Sequence, residues 1–324
     1  MRYTDELRQR PGTGEYLSGY PVVNAGPYLE KMQNSIKRIS STSYYTTFLL
    51  DPQHRLTPEN LSNVDLADVS YATLEFNSTA AGTAVVIHNF NNRIAFLTAN
   101  HVVSSPDTIF TFQVHQGERV LETVSIRKEQ VKWLFEAAYM GSFDILARDE
   151  LADLAIIGAP IDRHQIEEPL EEVFPIFPYP LGRPHRLVPG SFVYGLGYPR
   201  GYPVVTSGIV GQPNRDRHHS FITDLLFNPG FSGGAVVAVN GGIPAFEWVG
   251  MARSSSATRE WVIVPDDEQL LEPVLQTYDD ILFAEQKTRI DYGITHVVSA
   301  TRIRDFLQRE FWNLSRMGYP VQFK

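Results

Sequence analysis

A serine in a glycine-rich turn has the local setting of a catalytic nucleophile. Ser232 lies in the segment 228–234, which reads NPGFSGG. Glycines on both sides let the backbone turn tightly and leave the hydroxyl exposed. A serine hydroxyl is a weak nucleophile, so it needs a base, a carboxylate that orients the base, and N–H donors for a developing oxyanion. The chemistry that this segment would support is acyl transfer.

A histidine and an aspartate occur in matching settings upstream. His101 follows the apolar run 94–99, and Asp153 directly precedes the apolar run 154–157. Each is therefore expected at a strand end beside a core, where a lone histidine or aspartate is usually structural. The three together, in the order His101, Asp153, Ser232, favour a catalytic triad in which the histidine takes the serine proton and the aspartate holds the imidazole.

Strands must hold these side chains in place. Period-two alternation and β-branched runs predict a first set of strands at 70–76, 83–88, 94–98, 109–115 and 120–126. They predict a second set at 153–158, 191–197, 204–211, 220–226, 235–239, 246–252 and 292–298. This pattern is typical of closed antiparallel barrels, and the proline-rich stretch 169–189 is predicted to connect them.

The two ends of the chain are predicted to lie outside the barrels. Residues 1–69 are interpreted as an extension, with a polar arm, a helix from Pro27 and an irregular stretch at 40–68. The apolar face of that helix is predicted from Leu29, Met32, Ile36 and Ile39. A barrel domain at 70–312 carries an insertion at 254–290 and a closing helix at 301–314, and 313–324 is a tail. The insertion is either a surface elaboration or a lid over the site.

Three segments resemble the signature segments of trypsin-like (chymotrypsin-fold) serine proteases: TANH at 98–101, DLA at 153–155 and GFSGG at 230–234. Other segments are similar to the HtrA/Deg-like branch of that family, at 81–87, 193–199, 205–210, 221–230, 248–251 and 293–299. The resemblance covers about residues 70–312, and no PDZ domain is expected after it.

This resemblance implies an all-β fold of two antiparallel six-stranded β-barrels and a serine endopeptidase acting on protein or peptide substrates without a cofactor. It implies that the backbone N–H groups of Gly230 and Ser232 form the oxyanion hole. It also implies that Leu226, Met251 and Ala252 bind the substrate. Because Leu226 offers no carboxylate to a lysine or arginine, we expect cleavage after small or aliphatic residues.

Phe231 departs from the family pattern, which usually has asparagine or aspartate before the nucleophile. An aspartate there pairs with a newly cut N-terminus in zymogen-activated members, and a phenylalanine cannot do so. Activation by N-terminal cleavage is therefore not expected. Phe231 also leaves open an alternative function, a catalytically silent binding module on a protease fold.

The pattern G-x-S-x-G also fits the nucleophile elbow of α/β-hydrolases, but that elbow needs a helix after the serine. Here a β-branched run at 235–239 follows and ends at Asn240-Gly241-Gly242, which indicates a hairpin. The fold prediction therefore stays with the barrels.

Composition narrows the remaining function classes. The chain has 324 residues, a formal net charge of −9 and no cysteine. The acidic balance argues against nucleic-acid binding, and the lack of cysteine excludes disulfides and cysteine-ligated zinc. No metal site is predicted, because His218-His219 is interpreted as a solvated hairpin tip.

The polar start and the lack of a long apolar run predict a cytoplasmic protein without membrane contact. Composition does not determine the oligomeric state.

Overall fold

Two antiparallel β-sheets dominate the computed structural model, which describes residues 14–21, 23–135, 142–162, 166, 168–265 and 282–321, with backbone alone over 255–265 and 282–292. Within these ranges the first sheet contains β1 (Ile36–Leu50), β2 (Ser70–Phe90), β3 (Arg93–Ala99), β4 (Thr108–His115), β5 (Glu118–Leu134), β6 (Asp144–Asp149) and β7 (Leu154–Pro160). The second contains β8 (Phe192–Gly197), β9 (Val204–Gln212), β10 (Phe221–Thr223), β11 (Ala235–Val239), β12 (Phe246–Pro265) and β13 (Leu282–Ser299).

The strand order confirms the predicted fold of two barrel-like sheets. The second sheet closes into a six-stranded barrel, β10-β13-β12-β11-β8-β9. The first is barrel-like, and its described strands number seven rather than six, in the order β4-β5-β1-β2-β3-β7-β6. A short helix, α1 (Gly26–Gln33), precedes β1. Three more lie between strands: α2 (Leu66–Val69), α3 (Asn100–Val103) and α4 (Leu170–Val173).

A longer helix, α5 (Ala300–Arg316), follows the second sheet and confirms the predicted C-terminal helix. Ser299 caps its N-terminus, because the Ser299 Oγ accepts a hydrogen bond from the Arg302 N–H. One stripe of its side chains is buried: Ile303, Phe306, Leu307 and Leu314. Arg309 donates from Nη2 to Asp149 Oδ2 at 2.8 Å, which joins α5 to β6 of the first sheet.

The helix expected to run from Pro27 through Ile39 ends early, and that prediction is wrong beyond Gln33. Ile36 and Ile39 lie instead on β1, which continues to Leu50 through residues expected to be irregular. The cause is tertiary, because β1 pairs with β2 on one side and β5 on the other. Pairing on both sides buries its polar residues 40–43. The division of the chain at residue 70 stays a prediction.

The structure also revises the assignment of single strands. Residues 153–158, expected in the second set, contribute to β7, which pairs with β3 in the first sheet. Segments 70–76 and 83–88 belong to one long strand, β2. The strand expected at 220–226 ends at Thr223, since the chain then turns toward the serine loop.

The insertion at 254–290 extends two strands of the second barrel. Its described part pairs in register from Ser256 opposite Asp291 to Pro265 opposite Leu282, so β12 and β13 project as a two-stranded arm. β-branched residues such as those at 262–264 favour this extended pairing. The amphipathic stretch predicted around Leu270–Tyr278 lies outside the described residues.

The connector between the sheets packs aromatic rings into the core. The ring centroids of Phe174 and Phe96 lie 5.9 Å apart, and those of Phe177 and Trp248 lie 4.9 Å apart. The connector thereby links the first sheet to the second barrel. No helix in the ranges that the structure describes combines the length and the apolar character needed to cross a membrane.

Candidate active site

His101, Asp153 and Ser232 lie in one hydrogen-bonded chain between the two sheets. His101 Nε2 is 2.9 Å from Ser232 Oγ, and His101 Nδ1 is 2.8 Å from Asp153 Oδ2. The imidazole is about half exposed, whereas the aspartate side chain is 8% exposed. The base therefore contacts both the hydroxyl and a nearly enclosed carboxylate, which is the arrangement that activates a serine.

Backbone contacts fix the histidine and the aspartate relative to each other. His101 lies in the first turn of α3, just after β3, and Asp153 precedes β7, the partner of β3. Asp153 Oδ1 accepts from the His101 backbone N–H at 2.9 Å, and the Asp153 carbonyl accepts from the Asn100 N–H. Asp153 adopts a positive φ of 57°, a conformation that is uncommon outside glycine and costs energy. These bonds hold it there.

Thr83 on β2 joins the serine loop to the first sheet. Its backbone N–H donates to the Ser232 carbonyl at 2.8 Å, and its Oγ1 donates to the Gly230 carbonyl at 2.8 Å. The same hydroxyl accepts from the Tyr198 N–H, so its hydrogen-bonding capacity is used on both sides. Gly233, at a φ of 90°, packs so closely on this threonine that a Cβ would overlap its carbonyl oxygen.

Two N–H groups of the loop around Ser232 have no backbone partner among the described residues. The Pro229 carbonyl accepts from the Arg200 N–H at 2.7 Å. In a trans peptide the N–H points opposite to the carbonyl, so this bond turns the Gly230 N–H away from Arg200. Within the described part of the chain, the N–H groups of Gly230 and Ser232 donate to no backbone oxygen. Both are thus available to an oxyanion.

Phe231 anchors this loop to the core of the second barrel. Its side chain is fully buried in the core of the second barrel, and its ring packs edge-on against Phe227 with centroids 5.9 Å apart. The adjacent strand β8 leaves room for this ring because its last residue, Gly197, has no side chain. A Cβ on Gly197 would lie 2.7 Å from the Phe231 ring. Burial of this large apolar ring therefore stabilises the position of the loop.

Arg253 is a neighbour of Asp153 and Ser232 that the sequence did not reveal. It follows Ala252 on β12, its Nε lies 3.2 Å from Asp153 Oδ2, and its carbonyl accepts from Ser232 Oγ at 3.1 Å. Burial raises the pKa of the Asp153 carboxyl, but the contacts with His101 and the charge of Arg253 outweigh burial and hold this pKa below its ordinary value. At pH values above the ordinary aspartate pKa, the ionised Asp153 stabilises the fold. This stabilisation is lost as the pH falls through the lowered pKa of Asp153.

The residues expected to bind substrate differ in their access to solvent. Leu226 lies beyond β10 and is 54% exposed, whereas Met251 and Ala252 have fully buried side chains. The Ala252 backbone exchanges hydrogen bonds with Gly233 and Gly234, so it supports the serine loop. Asp224, two residues before Leu226, uses its Oδ1 to accept from the Ile209 N–H at 2.6 Å.

Sequence reasoning missed Thr83, Arg200 and Arg253. Thr83 lies in the AGTA segment at 81–84, which was interpreted only as a strand, and the local pattern does not show its loop contacts. Arg200 acts through its backbone, so its side chain carries no signal. Among the described residues, no group of three histidine, aspartate or glutamate side chains is placed to hold a metal ion.

Comparison with known proteins is consistent with this geometry. A family model described as the trypsin-like peptidase domain matches residues 82–245, a span that includes His101, Asp153 and Ser232. No curated protein matches the chain.

Proposed function

Because the chain belongs to the trypsin-like peptidase family, we propose that it is a serine endopeptidase with His101, Asp153 and Ser232 as its catalytic triad. The observation that carries this proposal is the pair of contacts at 2.9 Å and 2.8 Å that joins Ser232 Oγ through the imidazole to Asp153. Similarity of the motifs at 81–87 and 205–210 supports membership of the HtrA/Deg-like branch.

The reaction proceeds by acyl transfer. Ser232 Oγ attacks the carbonyl carbon of the scissile peptide while His101 Nε2 takes the hydroxyl proton. Asp153 holds the imidazole tautomer and stabilises the imidazolium, which then protonates the leaving amine. Water, activated by the same histidine, hydrolyses the acyl-enzyme. The N–H groups of Gly230 and Ser232 stabilise the oxyanion in both steps.

Labelling with a fluorophosphonate tests this proposal, because such probes react with an activated serine. The parent protein should be labelled in a stoichiometric reaction, and Ser232→Ala should not be labelled. Ser207→Ala removes an exposed serine on β9 and provides the matched control, which should label like the parent. Absence of labelling in the folded parent would support the silent binding module instead.

A preference for small or aliphatic residues before the scissile bond is the second part of the proposal. Leu226 presents an exposed apolar side chain, and the nearby Asp224 carboxylate is engaged with the backbone of β9. A cationic side chain would therefore find no carboxylate partner at these two positions. We expect a peptide library to show cleavage mainly after alanine, valine, leucine or isoleucine. A profile dominated by lysine and arginine would contradict this.

The β12–β13 arm is proposed to act as a rim or lid for the substrate. It leaves the barrel directly after Arg253 and Ser254, and the Arg253 carbonyl already contacts the nucleophile. A long segment beside an active site can order or close on substrate.

Shortening the arm at a paired position tests this role. Thr258 and Arg289 are opposite each other, so residues 259–288 can be replaced by Asn-Gly, which favours a tight hairpin turn. We expect the cleavage rate or profile to change more than the melting temperature does. A lowered melting temperature with an unchanged profile would identify the arm as a structural elaboration only.

A further inference from the structure

A cationic cavity lies behind the triad, on the side of Asp153. Its volume is about 520 Å³, and Ala152, the residue before the aspartate, forms part of its wall. Four side chains with basic nitrogen groups contribute to its lining: Arg215, Arg253, Arg302 and His296. The mechanism proposed above assigns this cavity no role.

The three arginines that line the cavity belong to separate parts of the fold. Arg215 lies between β9 and β10, Arg253 on β12 and Arg302 in the first turn of α5. The whole chain has a formal net charge of −9, so a cluster of arginines is not what its composition would produce. Convergence of distant arginines on one concave surface is typical of a site for an anion.

The acid that lines the cavity is engaged with the backbone. Asp216 Oδ1 accepts from the His218 N–H at 2.8 Å and from the Ser220 N–H at 3.1 Å, and so stabilises the turn before β10. Burial raises the pKa of Asp216, but these bonds and the charge of Arg302 hold it below the ordinary value. Asp216 in the lining and Asp153, which pairs with Arg253, thus face three guanidinium groups, so the cavity keeps one net positive charge.

Arg215 and Arg253 are held in position by contacts that leave further donors on each of their guanidinium groups. Arg215 Nη1 lies 2.8 Å from His296 Nδ1, and Arg253 Nε lies 3.2 Å from Asp153 Oδ2. Burial, followed by the charges of Arg215 and Arg253, lowers the pKa of His296, so its neutral ring accepts from Arg215 near pH 7. A guanidinium has five N–H donors, and each of these contacts uses one.

We propose that this cavity binds a small multivalent oxyanion, a condensed phosphate or a phosphate ester, through Arg215, Arg253 and Arg302. The planar donor fork of arginine matches the oxygens of such groups. The cavity is larger than one phosphoryl group needs, and its volume lies within the usual range of about 300–1,000 Å³ for small-molecule sites. The ligand is free in solution rather than part of the peptide substrate.

The site is coupled to the triad through one oxygen atom. Asp153 Oδ2 accepts from His101 Nδ1 at 2.8 Å and also lies 3.2 Å from Arg253 Nε. An anion that draws the Arg253 guanidinium toward the cavity leaves Asp153 Oδ2 in contact with His101 alone. Because the positive charge of Arg253 then lies farther from the carboxylate, the carboxylate stabilises the imidazolium of His101 better. Binding should therefore raise kcat and leave KM unchanged. This coupling rests on the proposed peptidase function, whereas binding itself does not.

Binding is tested by calorimetric titration of the full-length Ser232→Ala protein with inorganic pyrophosphate, at an ionic strength held constant with sodium chloride. We expect saturable binding at one site. Arg215→Gln combined with Arg302→Gln should weaken it by at least about tenfold, because two charge-assisted contacts are lost. Arg302→Gln alone is the second variant if the double one does not fold. Arg316→Gln, at the other end of α5, is the matched control.

The control should bind like the parent. Absence of saturable binding, or equal weakening in Arg316→Gln and in the cavity variants, would overturn the proposal. The coupling is tested on the active enzyme, where pyrophosphate should raise kcat in the parent and have no effect in the double variant. Binding without any change in kcat would overturn the coupling.

Two further outcomes separate the possible causes of failure. If pyrophosphate does not bind and the double variant loses activity only toward acidic peptides, the cavity binds a substrate carboxylate and the free ligand is excluded. If the parent binds pyrophosphate but hydrolyses no peptide, the proposed peptidase function fails while the anion site stands.

Discussion

Replacing Ser232 with alanine is expected to lower kcat for peptide hydrolysis by about a millionfold, because removal of the nucleophile leaves only the oxyanion donors and substrate binding. The fold should lose about 1 kcal/mol or less, since the change removes one hydroxyl with two contacts, to His101 Nε2 and to the Arg253 carbonyl. Initial rates and thermal unfolding of the same preparation measure both quantities. A Ser232→Ala enzyme that retained the parental rate would refute the assignment of the nucleophile.

Combined replacements test whether the three side chains act as one unit. Adding His101→Ala to Ser232→Ala should cause almost no further loss, because the base has no hydroxyl left to activate. Asp153→Asn alone should lower kcat by about ten-thousandfold, because an amide favours the wrong imidazole tautomer. Independent, additive losses would show that these residues do not form a triad.

Replacing Phe231 with alanine is expected to cost about 3–5 kcal/mol of unfolding free energy, because it empties a fully buried aromatic site. It should also lower kcat when assayed at a temperature where the variant is folded. The ring lies between Gly230 and Ser232 in sequence, so its burial sets the direction of the N–H groups that meet the oxyanion. Chemical denaturation and steady-state kinetics measure the two effects separately.

Phe174→Ala is the matched control for this prediction. Phe174 is equally buried but lies in the core that includes Phe96, and its ring packs against that residue. The control should lose comparable stability and keep its kcat below its own melting temperature. If Phe231→Ala also kept its kcat, Phe231 would be an ordinary core residue.

The parts that the sequence predicted well are those in which local pattern and tertiary environment agree. The strand at 235–239 is apolar at every position and buried on both faces, and its bounds match those expected. The C-terminal helix has an apolar stripe at helical spacing that packs as predicted. Ser232 and its glycines could be singled out because a tight turn needs those residue types nearby in sequence.

Other parts depend on contacts that no local window contains. Ile36 and Ile39 repeat at a spacing that suits a helix, yet the polar residues after them become a central strand because β2 and β5 satisfy their backbone on both sides. Arg253 has an ordinary side chain on an ordinary strand. It is relevant to the site because it contacts the carboxylate of Asp153, a hundred residues earlier, and this contact exists only in the folded chain.

The Thr83 contacts have a consequence for when the enzyme can become active. His101 and Asp153 belong to the first sheet, whereas Ser232 lies in the second and receives its Thr83 N–H bond only when the two sheets are joined. Contacts between residues so distant in sequence form late, after their loop-closure entropy has been overcome. A chain that has been synthesised as far as residue 160 contains every described strand of the first sheet but not yet Ser232. By the proposed mechanism, a nascent chain of that length would hold the base without the nucleophile and could not cleave a peptide bond.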